Sequence, residues 1–432
     1  MSTPTPSRRS FLGAAAAAST LCMVPGRVLA QAPNSKLTHA IIGVGGMGNG
    51  HFGYLEEWNS TMVAVCDVDS DRLDAAVARA KDMGFTSCKG YRDYREMLDK
   101  ERIDICHIAT PPHWHALQSI HAAEAGCDIW CEKPMTRTIG EGLAVVDAVR
   151  RNGRIFRLNT WFRFTGAFYG SGTTAAPLKQ IVSSGLLGWP LTVRVSHHTG
   201  FNWKVGAWQG RTDLQPEPIP ANLDWDLWLG PAPYKPYNSH RCHGNFRGYW
   251  DYDGGGLGDM GQHYLDPVQY FLDKDDESPV EIQAWTPMPA HPDACLTWDQ
   301  VEMTYADGCK IILEADTVPD DASVTRNQPY IEGPLGKVWP GFRLEPADLR
   351  DAMATLPEPA PQVTDFVQAV RNRQTFALNE VNGHRSCTLI NLANAAIRTG
   401  RKLHFDSQTM RFIDDEGANR LIDQPYRAPW HL

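Results

Sequence analysis

Thr38-His39-Ala40-Ile41-Ile42-Gly43-Val44-Gly45-Gly46-Met47-Gly48 is the stretch that decides the fold of the first half of the chain. Its first five residues have the apolar character of a short strand, and a G-x-G-x-x-G pattern follows at once. A second apolar run, Met62–Cys66, is closed by Asp67. The glycine pattern alone would be weak, but a strand before it and an acid after the next strand predict a dinucleotide-binding unit.

The glycine-rich loop has a clear physical function in such a unit. Residues without side chains allow a tight turn and let backbone N–H groups approach a pyrophosphate at the start of a helix. Asp67 would accept hydrogen bonds from the adenosine ribose hydroxyls and would repel a 2′-phosphate. We therefore expect NAD as the cofactor, in preference to NADP. The loop residues expected to contact it are Gly43, Gly45, Gly46, Met47 and Gly48.

The amino terminus has the features of an export signal. Arg8-Arg9 precedes an apolar, small-residue stretch from Gly13 to Val24, and small residues around Ala30 offer cleavage sites. This pattern predicts a twin-arginine signal peptide over residues 1–32 and a periplasmic or otherwise exported protein. The stretch is too short and too rich in alanine for a stable membrane span. Because the twin-arginine route carries folded proteins, the cofactor would be bound before export.

Composition excludes several other classes of protein. The net charge is −9 with no basic cluster beyond the signal, so we expect no nucleic-acid partner. The ten cysteines are dispersed, and nine follow the signal, which argues against a disulfide framework. His240, Cys242 and His243 are close in sequence but lack zinc spacing, so we expect no metal.

Strand and helix patterns alternate through the first part of the mature chain, and this predicts a doubly wound parallel sheet. We place this Rossmann domain at residues 36–156. Ligands of such sheets bind outside the carboxyl ends of the strands. Asp67, Thr110-Pro111 and Glu132-Lys133 all follow predicted strands and are expected at that edge.

Three motifs resemble those of the Gfo/Idh/MocA family, named for glucose–fructose oxidoreductase and inositol dehydrogenase. They are Glu132-Lys133-Pro134, the segment from Thr110 to His115, and Asp259-Met260-Gly261-Gln262-His263. The resemblance implies a second α/β domain, at residues 157–432, built on a large, mostly antiparallel open sheet with carboxyl-terminal helices. The strings at 223–231 and 383–386 resemble an exported bacterial branch of that family.

Asp259 and His263 are four residues apart, which places them on one face of a helix predicted over roughly Gly258 to Leu272. The family pattern implies that Lys133 bonds the reacting hydroxyl, that His263 is the acid/base, and that Asp259 binds substrate or orients the site. The sequence leaves open which of Lys133 and His263 takes the proton.

The remaining candidate residues form two groups. The expected cofactor contacts beyond the loop and Asp67 are Thr110, Pro111, His113, His115, Glu132, Lys133 and Asn159. The expected substrate contacts are Trp161, Arg163, Arg247, Tyr249, Asp259 and His263.

Three functions remain open at this point. The first is an NAD-dependent oxidoreductase that transfers hydride at a secondary alcohol of a sugar, sugar derivative or polyol, with a tightly bound and recycled cofactor. The second is an NAD-dependent glycoside hydrolase or lyase that works by transient oxidation and elimination. The third is a non-catalytic sugar-binding protein with structural NAD. In each case the partner is a small carbohydrate, and we expect a homo-oligomer.

Overall fold

The first half of the chain is built on a six-stranded sheet. The computed structural model describes residues 36–57, 59–160, 163, 171–315 and 326–432. All neighbouring strands are parallel, and their order is β3-β2-β1-β4-β5-β6, as in a Rossmann fold. The predicted doubly wound parallel sheet is confirmed. The strands are β1 (Thr38–Ile42), β2 (Thr61–Cys66), β3 (Lys89–Tyr91), β4 (Ile105–Ile108), β5 (Asp128–Glu132) and β6 (Phe156–Asn159). The predicted signal, residues 1–32, lies outside the described residues.

Helices connect these strands, and local sequence explains where several of them begin. The Asp69 carboxylate caps the helix that starts at Ser70 by accepting from the backbone N–H of Asp71. Thr138 and Glu141 form a reciprocal capping box at the last of these helices. The helices are α1 (Gly46–Gly50), α2 (Phe52–Glu57), α3 (Ser70–Asp82), α4 (Tyr94–Lys100), α5 (His115–Glu124) and α6 (Ile139–Arg151).

A nine-stranded sheet forms the second half. Its order is β13-β12-β11-β7-β10-β9-β8-β14-β15, and only β7 and β10 pair in parallel. The mostly antiparallel second sheet implied by the resemblance is therefore confirmed. Its strands are β7 (Thr192–Val195), β8 (Glu281–Trp285), β9 (Gln300–Thr304), β10 (Lys310–Glu314), β11 (Ile331–Glu332), β12 (Lys337–Trp339), β13 (Arg343–Glu345), β14 (Leu403–Asp406) and β15 (Arg411–Phe412).

One long helix of the second half positions the candidate site. The helix expected from Gly258 begins three residues earlier and continues through Pro267. The last long helix of the chain packs against both this helix and α6 of the first half, and it thereby links the helix bearing Asp259 and His263 to the first half. The helices are α7 (Ala175–Ser183), α8 (Trp225–Leu229), α9 (Gly255–Phe271), α10 (Leu349–Met353), α11 (Phe366–Asn372), α12 (Glu380–Thr399) and α13 (Glu416–Asn419).

Two further features of the described ranges concern the cysteines and the lengths of the helices. All nine cysteines in the described ranges are free and buried. Within the same ranges, no helix combines the length and the apolar character needed to cross a bilayer.

Candidate active site

A cavity of about 370 Å³ opens at the carboxyl ends of the parallel strands. One part of its wall comes from the loops after β1, β2, β4 and β5, and another comes from α9 and the residues before it. The predicted residues that line it are Gly43, Gly46, Met47, Asp67, Thr110, Pro111, Glu132, Lys133, Arg247 and Asp259. The structure therefore brings the dinucleotide loop, the E-K-P motif and the first residue of the D-x-x-x-H element to one cavity.

The glycine-rich loop fits a dinucleotide in its backbone conformation. Gly43 has a φ of +84°, and a Cβ there would lie 2.8 Å from the backbone nitrogen of Thr110. A Cβ at Gly48 would lie 1.8 Å from the carbonyl oxygen of Gly43. At Gly46, by contrast, a Cβ would meet nothing within 4 Å, so the chain is open on the cavity side. Gly43 and Gly48 fix the turn, and Gly46 leaves room for a ligand.

Asp67 follows β2 directly, is half-buried, and joins two loops. Its Oδ2 accepts from the backbone N–H of Val44 at 2.9 Å, and its Oδ1 accepts from that of Asp69 at 3.0 Å. Burial raises the pKa of Asp67, while these two N–H groups and the charge of Arg72 oppose the rise. Arg72, Arg92 and His243 line the same end of the cavity and were missed from the sequence, because only the fold brings them to Asp67.

Lys133, Asp259 and Arg247 form a charged cluster in the cavity wall. The Lys133 ammonium donates to the Asp259 backbone oxygen at 2.7 Å and to its Oδ1 at 2.8 Å. The Arg247 Nε donates to the same Oδ1 at 2.8 Å. Burial favours the neutral acid, but the two cations hold the pKa of Asp259 well below its usual range. Asp259 therefore remains ionised and fixes both cations in place.

His263 lies one helical turn beyond Asp259 on α9 and is half-buried. Burial, and then the positive charge of Lys133, lower the pKa of His263 to about 3. The imidazole is consequently neutral at physiological pH and carries a lone pair that can accept a proton.

Hydrogen bonds hold the cavity wall in place, and they involve Glu132, Asn159 and His115. Asn159 Nδ2 donates to Glu132 Oε1 at 2.6 Å, and Glu132 also contacts His51 at 2.8 Å. The His115 ring lies between two carbonyl oxygens, those of Thr110 and Pro134, at 2.8 and 2.7 Å. Asn159 and His115 thus hold cavity residues in position and do not line the cavity themselves.

The structure places three further residues that were predicted as contacts in the interior, away from the cavity lining. His113 is buried, and its Nε2 lies 3.0 Å from the Trp228 carbonyl oxygen. Tyr249 is fully buried, and its hydroxyl lies 2.8 Å from His240 Nδ1. Arg163 is 1% exposed and bonds two carboxylates away from the cavity. These side chains pack the interior, and Trp161 lies outside the described residues.

Asp253 is a cavity residue that the sequence analysis missed. It precedes α9, is buried, and accepts from the backbone N–H of Gly254 at 2.8 Å. Burial and the nearby charge of Asp259 raise the pKa of Asp253 to about 7. A carboxyl group that exchanges its proton near neutral pH therefore lies close to the Lys133 cluster. Its position just before a glycine run was visible, but its burial was not.

Replacing Asp253 with asparagine is expected to stabilise the fold increasingly as the pH rises. The unfolded carboxyl loses its proton near pH 4, whereas the folded one keeps it to about pH 7. The wild-type protein therefore loses stability across this interval, at up to about 1.4 kcal/mol per pH unit for one such group. The asparagine side chain of the variant does not titrate. Urea unfolding at pH 4.5 and 7.5 should show the variant's advantage growing, and an advantage independent of pH would contradict the raised pKa.

Among the described residues, no three side chains of histidine, cysteine, aspartate or glutamate are grouped so that they could hold a metal ion. In the loop that contains His240, Cys242 and His243, the first ring contacts Tyr249, the thiol is buried, and His243 Nε2 lies 3.6 Å from Asp69 Oδ2.

A Rossmann sheet, a glycine loop whose conformation fits a dinucleotide, and an open, mostly antiparallel sheet define the class of two-domain fold to which the chain belongs. Family comparison agrees: residues 37–160 match the NAD-binding Rossmann fold of the oxidoreductase family, and residues 171–432 match its carboxyl-terminal α/β domain. The chain belongs to the Gfo/Idh/MocA oxidoreductase family.

Several curated proteins are similar to the chain over part of its length. Inositol 2-dehydrogenase of Salmonella typhimurium is 28% identical over 165 residues, which are 38% of this chain and 46% of that protein. Levoglucosan dehydrogenase of Pseudarthrobacter phenanthrenivorans is 28% identical over 361 residues, 83% of this chain and 70% of that protein. A glycosyl hydrolase family 109 protein of Shewanella pealeana is 31% identical over 115 residues, 26% and 25% of the two chains. The chain thus spans about half the length of the inositol dehydrogenases that it matches.

Solved structures support the fold. The WlbA dehydrogenase from Chromobacterium violaceum, in complex with NADH and UDP-GlcNAcA, superposes with a TM-score of 0.59 at 22% identity. The match covers 88% of this chain and 99% of that one.

Proposed function

We propose that this protein transfers a hydride between NAD and a secondary alcohol of a sugar or polyol. The observation that carries the proposal is the Lys133–Asp259–Arg247 cluster, with its contacts of 2.7–2.8 Å, in the cavity that also holds the dinucleotide loop. The relatives named for inositol and levoglucosan support a polyhydroxylated substrate.

The charges of the site suit this chemistry. When bound, the cofactor supplies a hydride acceptor. Lys133, held by Asp259, donates a hydrogen bond to the reacting hydroxyl oxygen and stabilises the negative charge that develops there. Neutral His263 takes the hydroxyl proton, because the Lys133 ammonium has no lone pair with which to accept it. Arg247 remains beside Asp259 and binds a neighbouring hydroxyl.

We propose NAD over NADP because the half-buried Asp67 carboxylate lies directly after β2 in the cavity wall. Arg72 and Arg92 also line the cavity, and positive charges there would favour a 2′-phosphate. The preference between NAD and NADP therefore needs a direct test. Asp67→Ala removes a hydrogen-bond acceptor for the ribose and a repulsion toward a 2′-phosphate. The dissociation constant for NAD should therefore rise more than that for NADP.

This prediction is checked by titrating both cofactors into protein from which bound dinucleotide has been removed. Asp71→Ala is the matched control, because Asp71 is exposed in the first turn of α3 and does not line the cavity. Equal losses of affinity for NAD and NADP in the Asp67 variant would reject the assignment.

We further propose that the protein is exported with its cofactor bound and that the cofactor is restored on the enzyme. Arg8-Arg9 and the apolar stretch after them support export. Outside the cytoplasm there is little free NAD(H), so a net dehydrogenase would stop after one turnover unless a second substrate restored the cofactor.

Glycoside cleavage by transient oxidation is the second candidate, and it needs no outside redox partner. Two observations favour it: the similarity to the family 109 protein, and a second carboxyl group, Asp253, whose pKa of about 7 suits proton donation to a leaving group.

A panel of sugars and nitrophenyl glycosides, incubated with the purified protein without added NAD, distinguishes the two candidates. Keto-sugar without aglycone release identifies a dehydrogenase. Aglycone release over many turnovers, with deuterium from heavy water on a ring carbon of the product, identifies the elimination route. If no member of the panel is oxidised or cleaved, hydride transfer at this site is contradicted.

A further inference from the structure

Three histidines form an unusual buried row on one face of the parallel sheet. His39 lies in β1, His107 in β4, and His51 directly after α1. His39 and His107 are fully buried, and His51 is 1% exposed. The two strands are neighbours, and their side chains alternate between faces, so both strand histidines point to the same side.

The rings are linked to one another and to the active site. His39 Nδ1 lies 2.9 Å from His107 Nε2, and His107 Nδ1 lies 3.0 Å from His51 Nδ1. His51 Nε2 lies 2.8 Å from Oε1 of Glu132, which lines the cavity. Every link is within hydrogen-bond distance, and each of His107 and His51 uses both of its nitrogens.

A neutral imidazole donates through one nitrogen and accepts through the other, so the links must all point the same way. When Glu132 is ionised, His51 Nε2 donates to it, His107 Nδ1 donates to His51, and His39 Nδ1 donates to His107. When Glu132 holds a proton, Glu132 donates to His51 and every later bond reverses. The two arrangements differ by one proton at the Glu132 end and in the direction of all the bonds.

From this geometry we propose that His51, His107 and His39 form a proton relay that connects Glu132 in the active-site cavity with the start of β1. The inference rests on the proposed hydride transfer, which releases one proton for each hydroxyl oxidised. The O–H bond breaks, the carbon's hydride goes to NAD, and a C=O bond forms. The released proton, taken first by His263, enters the relay at Glu132, which lines the cavity and whose negative charge acts on His263. The relay carries the proton away from the cavity and returns it when the hydride is given back.

The surroundings favour transit of a proton over its storage. Burial, then the charges of the neighbouring rings and of Arg157, keep the pKa of His107 well below its usual range. Burial likewise lowers the pKa of His39 to about 3, although the Asp104 carboxylate opposes this. Arg157 lies over the Trp130 ring at 3.6 Å, and that ring stacks on His107. A proton that enters the middle of the row is therefore unstable there and moves to an end.

Asp104 marks the far end of the relay. Its carboxylate accepts from the backbone N–H and the hydroxyl of Thr38, each at 2.9 Å, and the residue is partly exposed. Its negative charge acts on His39, so the row ends near a partly exposed carboxylate.

The first test reads the bond directions directly and needs no substrate. Nitrogen-15 NMR of histidine-labelled protein reports which nitrogen of each ring carries the proton, with His51→Gln and His107→Asn assigning the signals. The relay requires one direction throughout, with Nδ1–H on both His39 and His107 when Glu132 is ionised. Nδ1–H on one ring and Nε2–H on the other would place two lone pairs, or two protons, between them and would overturn the proposal.

The second test separates proton movement from positioning of Glu132. In His51→Gln the side-chain amide still donates to Glu132, but an amide does not pass a proton on. Rapid mixing of the NAD-loaded protein with the best substrate of the sugar panel follows NADH by absorbance and proton release by a pH indicator. We expect proton release to be at least about 10-fold slower in His51→Gln and in His107→Asn.

His404→Gln is the matched control, because His404 is an exposed histidine in β14 of the second sheet. Absence of NADH formation by the wild-type protein would contradict the proposed function, and the NMR result would still decide the relay. Proton release by either relay variant at the wild-type rate, alongside normal NADH formation, would overturn the relay while leaving hydride transfer intact.

Discussion

Replacing Lys133 with methionine is expected to lower turnover by about 10²–10³-fold, the range for removal of a positioned hydrogen-bond donor at a developing negative charge. Methionine keeps most of the volume of the side chain but removes the ammonium that contacts Asp259 at 2.7 and 2.8 Å. The reacting hydroxyl then loses its hydrogen-bond donor. Asp259 keeps its contact with Arg247 at 2.8 Å, so the buried carboxylate remains paired and the fold should persist.

Initial rates on the best substrate of the panel, together with the dinucleotide content of the purified variant, check this prediction. His263→Ala should lower turnover to a similar extent. Lys402→Met is the control, because Lys402 is half-exposed and pairs with Glu281 in the second sheet. Near-wild-type turnover in both site variants would contradict the functions assigned to Lys133 and His263.

Replacing Arg163 with alanine is expected to destabilise the fold by about 3–5 kcal/mol. The guanidinium donates to Asp266 at 2.8 and 3.0 Å and to Asp275 at 2.7 and 2.8 Å. Asp266 lies in α9 and is fully buried, so removal of Arg163 leaves a carboxylate inside the protein without its main counter-charge. The loss is large because the remaining charge has no access to water.

Urea unfolding measures this change. Arg211→Ala offers a matched comparison, since Arg211 also pairs bidentately with an aspartate, Asp213, but both side chains are exposed. That variant should unfold like the wild-type protein. Equal free energies of unfolding for the two arginine variants would contradict the structural function that we assign to Arg163. The prediction that Arg163 contacts the substrate would then stand.

The first half of the fold was predictable because its sequence patterns are local. An apolar run, a glycine turn and an acid after the next strand fixed the order of β1, α1 and β2. The second sheet was different: its strands are only two to five residues long, and it was expected only through the family resemblance carried by motifs such as Glu132-Lys133-Pro134.

The candidate site was predictable where residues follow strand ends or share a helix face, as Lys133 and Asp259 do. It was not predictable where tertiary packing decides which way a side chain points. Arg163 and Tyr249 resembled sugar contacts by residue type, yet both turn into the interior. Asp253 was missed for the opposite reason, since its proximity to Asp259 and its burial exist only in the folded chain.

The row of three histidines was predictable only in part. His107 lay in a predicted alternating strand, and His39 lay in the strand before the glycine loop. Their shared face follows from strand alternation once β1 and β4 are known to be neighbours, but His51 joins them only through the fold.

The most direct test of hydride transfer follows an isotope from substrate to cofactor. Purified protein is incubated with levoglucosan and myo-inositol deuterated at carbon, and with the best substrate of the panel deuterated in the same way. The reaction is quenched within the first turnover, before the hydride can leave the cofactor, and the dinucleotide is analysed by mass spectrometry. We expect the dinucleotide to gain deuterium on its nicotinamide ring. Substrate turnover with a bound dinucleotide that never acquires deuterium would contradict this expectation.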